Sequence, residues 1–212
     1  MEIILQQAEI LHSETLFRDD FDNNLKNWET VKNDDEQAFI KDGYYWMENT
    51  SNSRWMYYKT KLPLNKKDDF LIDTEIEILS KNEYGHVGLV WGFGKGVEVL
   101  NRFTVSADGK RVLVMQFDKN HHREYHRFHS WNLKPSKEGT VRLSIAKIDG
   151  YFYFLHNGNL VYSCHISHFA DDGPYIGFYV EPGILIRSSY IETKRLITKK
   201  EASAAVFEKL LS

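Results

Sequence analysis

The chain has 212 residues, 42% hydrophobic and 14% aromatic, enough to bury a sizeable core in one large domain. Its formal charge of −3 removes the electrostatic case for nucleic acid or an anionic membrane surface as a partner. No run approaches the roughly 18 consecutive apolar residues of a membrane span, and a single cysteine, Cys164, excludes an internal disulfide.

At the N-terminus, "EIILQQAEILH" sets Ile4, Ala8 and Leu11 at helical spacing, although so short a run also suits an edge strand. Residues 1–15 are taken as an N-terminal extension. The stretch lacks a basic leader region, and with one cysteine it predicts a reducing, cytoplasmic setting. "FRDDFDNN" then gathers Asp19, Asp20, Asp22 and Asn23. Such oxygen donors suit a structural calcium ion, but the central glycine and terminal Glu of an EF-hand loop are missing. The other reading is a turn capped by short polar side chains, with no cofactor.

From residue 16 to 197 the pattern is that of strands. Asp42-Gly43, Asp108-Gly109, Asp149-Gly150, Asn157-Gly158 and Asp172-Gly173 are tight-turn signals. They separate aromatic and β-branched runs such as "AFIKDGYYWM" and "RFTVSADGKRVLVMQF". Roughly a dozen strands without helical periodicity predict an all-β, two-sheet antiparallel sandwich. "GYYWMENTSNSRWMYYKT" is dense in aromatic rings, which pack cores but also stack on sugars and anchor protein interfaces. Alternation turns half of them outward, and Tyr45, Trp55 and Tyr57 are the candidate ligand-binding residues there.

"LIDTEIEIL" places Asp73, Glu75 and Glu77 on one side of a strand and Ile72, Thr74, Ile76 and Ile78 on the other. The acids form either a solvated face, relieved by Arg142 or Lys147 from another strand, or a catalytic set. In "GLVWGF", Gly88, Val90 and Gly92 share one face and Leu89, Trp91 and Phe93 the other. Glycine within a strand marks a close approach, by core side chains or by a ligand, which adds Trp91 to the candidates. "DKNHHREYHRFHSW" carries His121, His122, His126 and His129, read as a polar hairpin tip because their strand parity does not converge on a metal. Cys164 reads as a small buried residue.

The C-terminal "ITKKEASAAVFEKLLS" has Thr198 as N-cap and Glu201 three residues on, a capping box. Residues 198–212 are therefore predicted as a short amphipathic helix. Its stripe of Val206, Phe207, Leu210 and Leu211 packs on its own sandwich or meets a protein partner.

With the strands in order, "LFRDDFDNNLKNW", "KDGYYWMENT", "DDFLIDTEIEIL", "GLVWGF", "NRFTVSADG", "VRLSIAKIDGYFYFLHNGNLVYS" and "GPYIGFYVEPGILIRSSYIETKRL" together resemble bacterial domains of the concanavalin A-like lectin/glucanase superfamily. Those with a "GLVWGF"-type strand are mostly of unassigned function. The resemblance covers about residues 16–196 and implies a jelly roll with one concave and one convex face. Laminarinases and lichenases of that superfamily carry E-x-D-x-E on a strand, nucleophile first and acid/base last. Here the order is Asp73-x-Glu75-x-Glu77, with Asp and Glu exchanged at the first two positions. A retaining mechanism needs its two carboxyls about 5–5.5 Å apart.

The preferred reading is a non-catalytic recognition module that binds a protein or a glycan through a sandwich face and loops. A hydrolase using Asp73, Glu75 and Glu77 is one alternative. A subunit docked into an assembly through its C-terminal helix is another.

Overall fold

In a computed structural model the chain forms two packed antiparallel sheets, the jelly-roll sandwich expected from its turn spacing. The structure describes residues 10–62, 65, 67–80, 85–93, 99–118, 123–130, 133, 139–169 and 173–199, without the side chains of 118 and 123–127. The short C-terminal helix, with Val206, Phe207, Leu210 and Leu211, lies outside the described residues. Thr198, read as its N-cap, is the buried last residue of a strand.

The strands are β1 (Ile10–Asp19), β2 (Val31–Lys32), β3 (Glu36–Lys41), β4 (Tyr44–Asn49), β5 (Met56–Lys61), β6 (Asp69–Ile78), β7 (His86–Phe93), β8 (Val99–Ser106), β9 (Val112–Asp118), β10 (Arg123–Ser130), β11 (Thr140–Ile148), β12 (Tyr151–His156), β13 (Asn159–His165), β14 (Tyr175–Val180) and β15 (Ile184–Thr198). Among the described residues nine strands make the larger sheet, ordered β13-β12-β11-β6-β15-β4-β3-β2, with β1 also on β15. Six make the smaller, ordered β10-β9-β8-β7-β14-β5. The first strand begins at Ile10, so the larger sheet reaches back into the stretch assigned to an N-terminal extension.

Turn chemistry accounts for the hairpins. Asp42-Gly43, Asp149-Gly150 and Asn157-Gly158 each hold both residues at positive φ, from 49° to 80°, as two-residue turns between twisted strands require. Alternation accounts for the core. Ile72, Ile76 and Ile78 of β6 face Val87, Leu89 and Trp91 of β7 across one continuous apolar interior. Two aromatic groups fill it: Phe21, Trp28, Tyr45 and Phe178 at one end, and Trp91, Phe152, Phe154 and Phe169 at the other. Tyr45 is fully enclosed, and its hydroxyl donates to the Glu29 carbonyl at 2.5 Å. Cys164 is buried and free, and burial pushes its thiol up to about 11.

One parity expectation changes. A register shift opposite Tyr175/Ile176 sits at Gly92, whose φ is 67°. The extra residue turns Phe93 away from Leu89 and Trp91 and onto the outer face.

Candidate functional site: an aromatic face beside a cavity

β6 lies inside the nine-stranded sheet, and Asp73, Glu75 and Glu77 occupy its outer face. Pairing sets Arg142 of β11 opposite Glu75 and Arg187 of β15 opposite Glu77. Asp73, only 3% exposed, accepts from Arg142 Nη2 at 2.8 Å, Ser144 Oγ at 2.5 Å and Tyr190 Oη at 2.7 Å. Its proximity raises the Arg142 pKa, and burial with the Asp73 bond raises that of Tyr190. Glu77 accepts from Arg187 Nε at 2.6 Å, and that guanidinium lies 4.2 Å from the Tyr44 ring centroid. Two of the three acids are thus committed to cations on neighbouring strands, a cross-strand charge ladder. Arg142 is the relieving partner anticipated from sequence. Lys147 has the opposite parity and lies over the Phe70 ring.

Two of the three calcium candidates, Asp19 and Asp20, are also engaged by protein donors. Asp19 is buried and accepts from Phe21 N at 2.9 Å and Trp28 Nε1 at 2.8 Å, an arrangement that fixes the turn before β2. Asp20 pairs with Arg18 at 2.6 Å, and Asp22 is exposed. Among the described residues no three His, Cys, Asp or Glu side chains converge on a common point. His121 and His122, and the side chain of His126, lie outside what is described; His129 is half-buried on β10.

The outer face of the six-stranded sheet has a different chemistry. Trp55 and Tyr57 at β5 and Tyr175 at β14 are half-buried, and they pack on buried Val90, Phe93, Leu100 and Tyr179. Trp55 lies 5.8 Å from Tyr57 and 5.6 Å from Tyr179, and Phe93 stacks on Tyr175 at 5.9 Å. Edge strand β5 and the residue before it turn Tyr57 and Trp55 outward because the alternate residues, Met56, Tyr58 and Thr60, face inward. Of the four ligand candidates, Trp55 and Tyr57 stand on this face. Tyr45 and Trp91 are enclosed in the interior, with 0% and 1% exposure.

Beside β5 the segment at Glu29–Val31 walls a cavity of about 630 Å³, lined also by Glu36, Arg54, Trp55 and Tyr57. Glu36 accepts from the Tyr58 hydroxyl at 3.2 Å, and burial raises the pKa of that phenol. The glycines of the sheet make close approaches of backbone. A Cβ at Gly88 would collide with the Phe103 carbonyl oxygen, and one at Gly177 with that of Tyr58. Tyr179, paired with Gly88, bonds through its hydroxyl to Arg102 one strand farther on. Sequence reasoning missed Tyr175, Tyr179, Lys59 and Arg102. Their parity was legible, but nothing local places β14 between β5 and β7.

Comparison with known proteins defines the class. No family profile and no curated protein matches the sequence. Among solved structures the chain is similar to the endo-β-1,3-glucanase of Pyrococcus furiosus, with TM-score 0.62 and 7% identity over 90% of this chain and 99% of that one. It is similar to the laminarinase catalytic domain of Thermotoga petrophila RKU-1, with TM-score 0.62 and 9% identity over 87% and 98%. A Bacillus subtilis protein of unknown function with a galectin-like fold aligns with TM-score 0.61 and 12% identity over 87% and 97%. The architecture is therefore the jelly roll of glucanases and galectin-like proteins, as the strand order of the concanavalin A-like superfamily implied. At such identities the likeness is one of fold.

Proposed function

We propose that this domain is a non-catalytic glycan-binding module whose ligand lies along the outer face of the six-stranded sheet. The row of half-buried Trp55, Tyr57 and Tyr175 rings, continuous with the cavity at Glu29 and Glu36, carries this reading. Each ring is fixed by packing and only half-buried, which suits apolar contact with a sugar at little entropic cost. The cavity walls add carboxylate and guanidinium groups that hydrogen-bond hydroxyls. Two of the similar structures are described as glucanases, so the fold accommodates proteins that act on glucans.

The module is read as non-catalytic because the acids of the glucanase-like order sit on the opposite sheet. There, Asp73 and Glu77 are held by Arg142 and Arg187. A retaining glycosidase needs one carboxyl free to attack and another free to deliver a proton.

A glycan array followed by calorimetry tests the proposal, with wild type compared to Trp55→Ala and Tyr57→Ala. Each ring removed should weaken binding about tenfold or more, for a loss on the order of 1–2 kcal/mol. Asp73→Asn and Glu77→Gln should leave affinity unchanged. Release of reducing ends from a bound glycan, lost in Glu77→Gln, would restore the hydrolase reading.

A further inference from the structure

The aromatic face also holds two cations in one cross-strand row. Register pairs Lys59 with Gly177, Gly177 with Val90, and Val90 with Arg102. Three strand spacings separate the two Cα atoms, roughly 14 Å. Between them lie Gly177, which has no side chain, and Val90, which is fully buried in the cluster with Phe93 and Tyr179.

Both cations are held by rings. The Lys59 ammonium lies 5.5, 5.8 and 5.3 Å from the ring centroids of Tyr57, Phe93 and Tyr175. The Arg102 guanidinium carbon lies 4.7 Å from the Tyr179 centroid. Ring faces attract a cation and fix its position, but they do not neutralise it. Among the described residues neither Lys59 nor Arg102 has a carboxylate partner. Arg102 Nη1 donates to the Tyr179 hydroxyl, while its buried Nε has no acceptor. The neighbouring acid, Glu181, is already engaged by the Tyr179 hydroxyl at 3.1 Å and the His86 amide at 2.8 Å. Glu29 and Glu36 line the cavity beside β5 together with Arg54 and Lys59, and neither forms an ion pair with Lys59.

We infer that the glycan is acidic, carrying carboxylate or sulfate groups that meet Lys59 and Arg102 while its rings stack on Trp55, Tyr57 and Tyr175. This rests on the glycan-binding reading above. A half-buried cation without a counter-ion loses hydration and gains no ion pair, and an anion on the ligand supplies that pair with an acceptor for the orphaned Nε. A neutral glycan would leave both cations as they are.

The test is calorimetry with matched pairs of oligosaccharides: an oligogalacturonide against its fully methyl-esterified form, and a sulfated galactan oligosaccharide against its desulfated form. Lys59→Gln and Arg102→Gln keep length and polarity while removing charge. The inference expects one acidic member to bind about tenfold or more tighter than its neutral counterpart, with each variant erasing most of that margin. The affinity should also fall as salt rises. Which pair shows the margin distinguishes carboxylate from sulfate. Equal binding of acidic and neutral members, weakened by Trp55→Ala, would overturn the charge inference and leave the glycan reading standing. Absence of binding to all four and to the array would overturn both.

Discussion

Replacing Asp73 by alanine gives the most direct check on the role assigned to the acidic strand. The carboxylate is 3% exposed and accepts from Arg142, Ser144 and Tyr190. Ser144 is fully buried, so its hydroxyl would lose its acceptor with no route to water, at about 1–2 kcal/mol. The half-buried Tyr190 hydroxyl adds about 0.5–1 kcal/mol. The Arg142 side chain is 49% exposed and can be rehydrated, so its bidentate bond contributes about 1 kcal/mol rather than the several of a buried pair. The total is about 3 kcal/mol. Urea denaturation should show this as a lower midpoint with an unchanged slope. A double-mutant cycle with Arg142→Ala should return about 1 kcal/mol of coupling. Glu75, which makes no hydrogen bond or ion pair among the described residues, should cost less than about 0.5 kcal/mol when changed to Ala. If Asp73→Ala cost under about 1 kcal/mol, or less than Glu75→Ala, the acids would not be a structural ladder and the argument against catalysis would fail.

Two further outcomes follow from the smaller sheet. His86 is depressed to about 4, first by burial and then by Arg111 and Arg102, with His129 adding to the effect and Asp108 opposing it. Thr104 Oγ1 lies 3.5 Å from its Nδ1, and the His86 backbone amide donates to the Glu181 carboxylate at 2.8 Å. The unfolded chain therefore binds a proton near pH 6.5 that the native state refuses until about pH 4. Stability should be full above pH 6.5 and fall by about 2–3 kcal/mol between there and pH 4. His156, also lowered by burial, acts in the same direction. In His86→Gln, measured by denaturation across this range, most of the slope should vanish; a variant with the wild-type slope would remove His86 as its source. Gly177→Ala should lose about 2–3 kcal/mol or more, because its Cβ collides with the Tyr58 carbonyl and backbone cannot yield as a side chain can. A thermal midpoint within a degree or two of wild type would show that β14 and β5 are not in that register.

The local features of this chain were legible from residue types alone. Alternation in β6 set Ile72, Ile76 and Ile78 inward and the three acids outward, as the pleat of any strand demands. Asp42-Gly43, Asp149-Gly150 and Asn157-Gly158 announced their turns because few residues tolerate two successive positive φ angles. The all-β class followed from these two periodicities. What strands pair with is a property of the whole chain, and there sequence reading stopped. That Asp73 would meet Arg142 and Ser144 depends on β11 lying beside β6, some 70 residues away, in one register. The bulge at Gly92 reversed Phe93, because one unpaired residue flips every later side chain to the other face. The aromatic face itself exists because β14 lies between β5 and β7, bringing Trp55, Tyr57, Phe93, Tyr175 and Tyr179 together from three separate segments. Lys59 and Arg102 are unremarkable in sequence, and only the tertiary pairing aligns them in one cross-strand row.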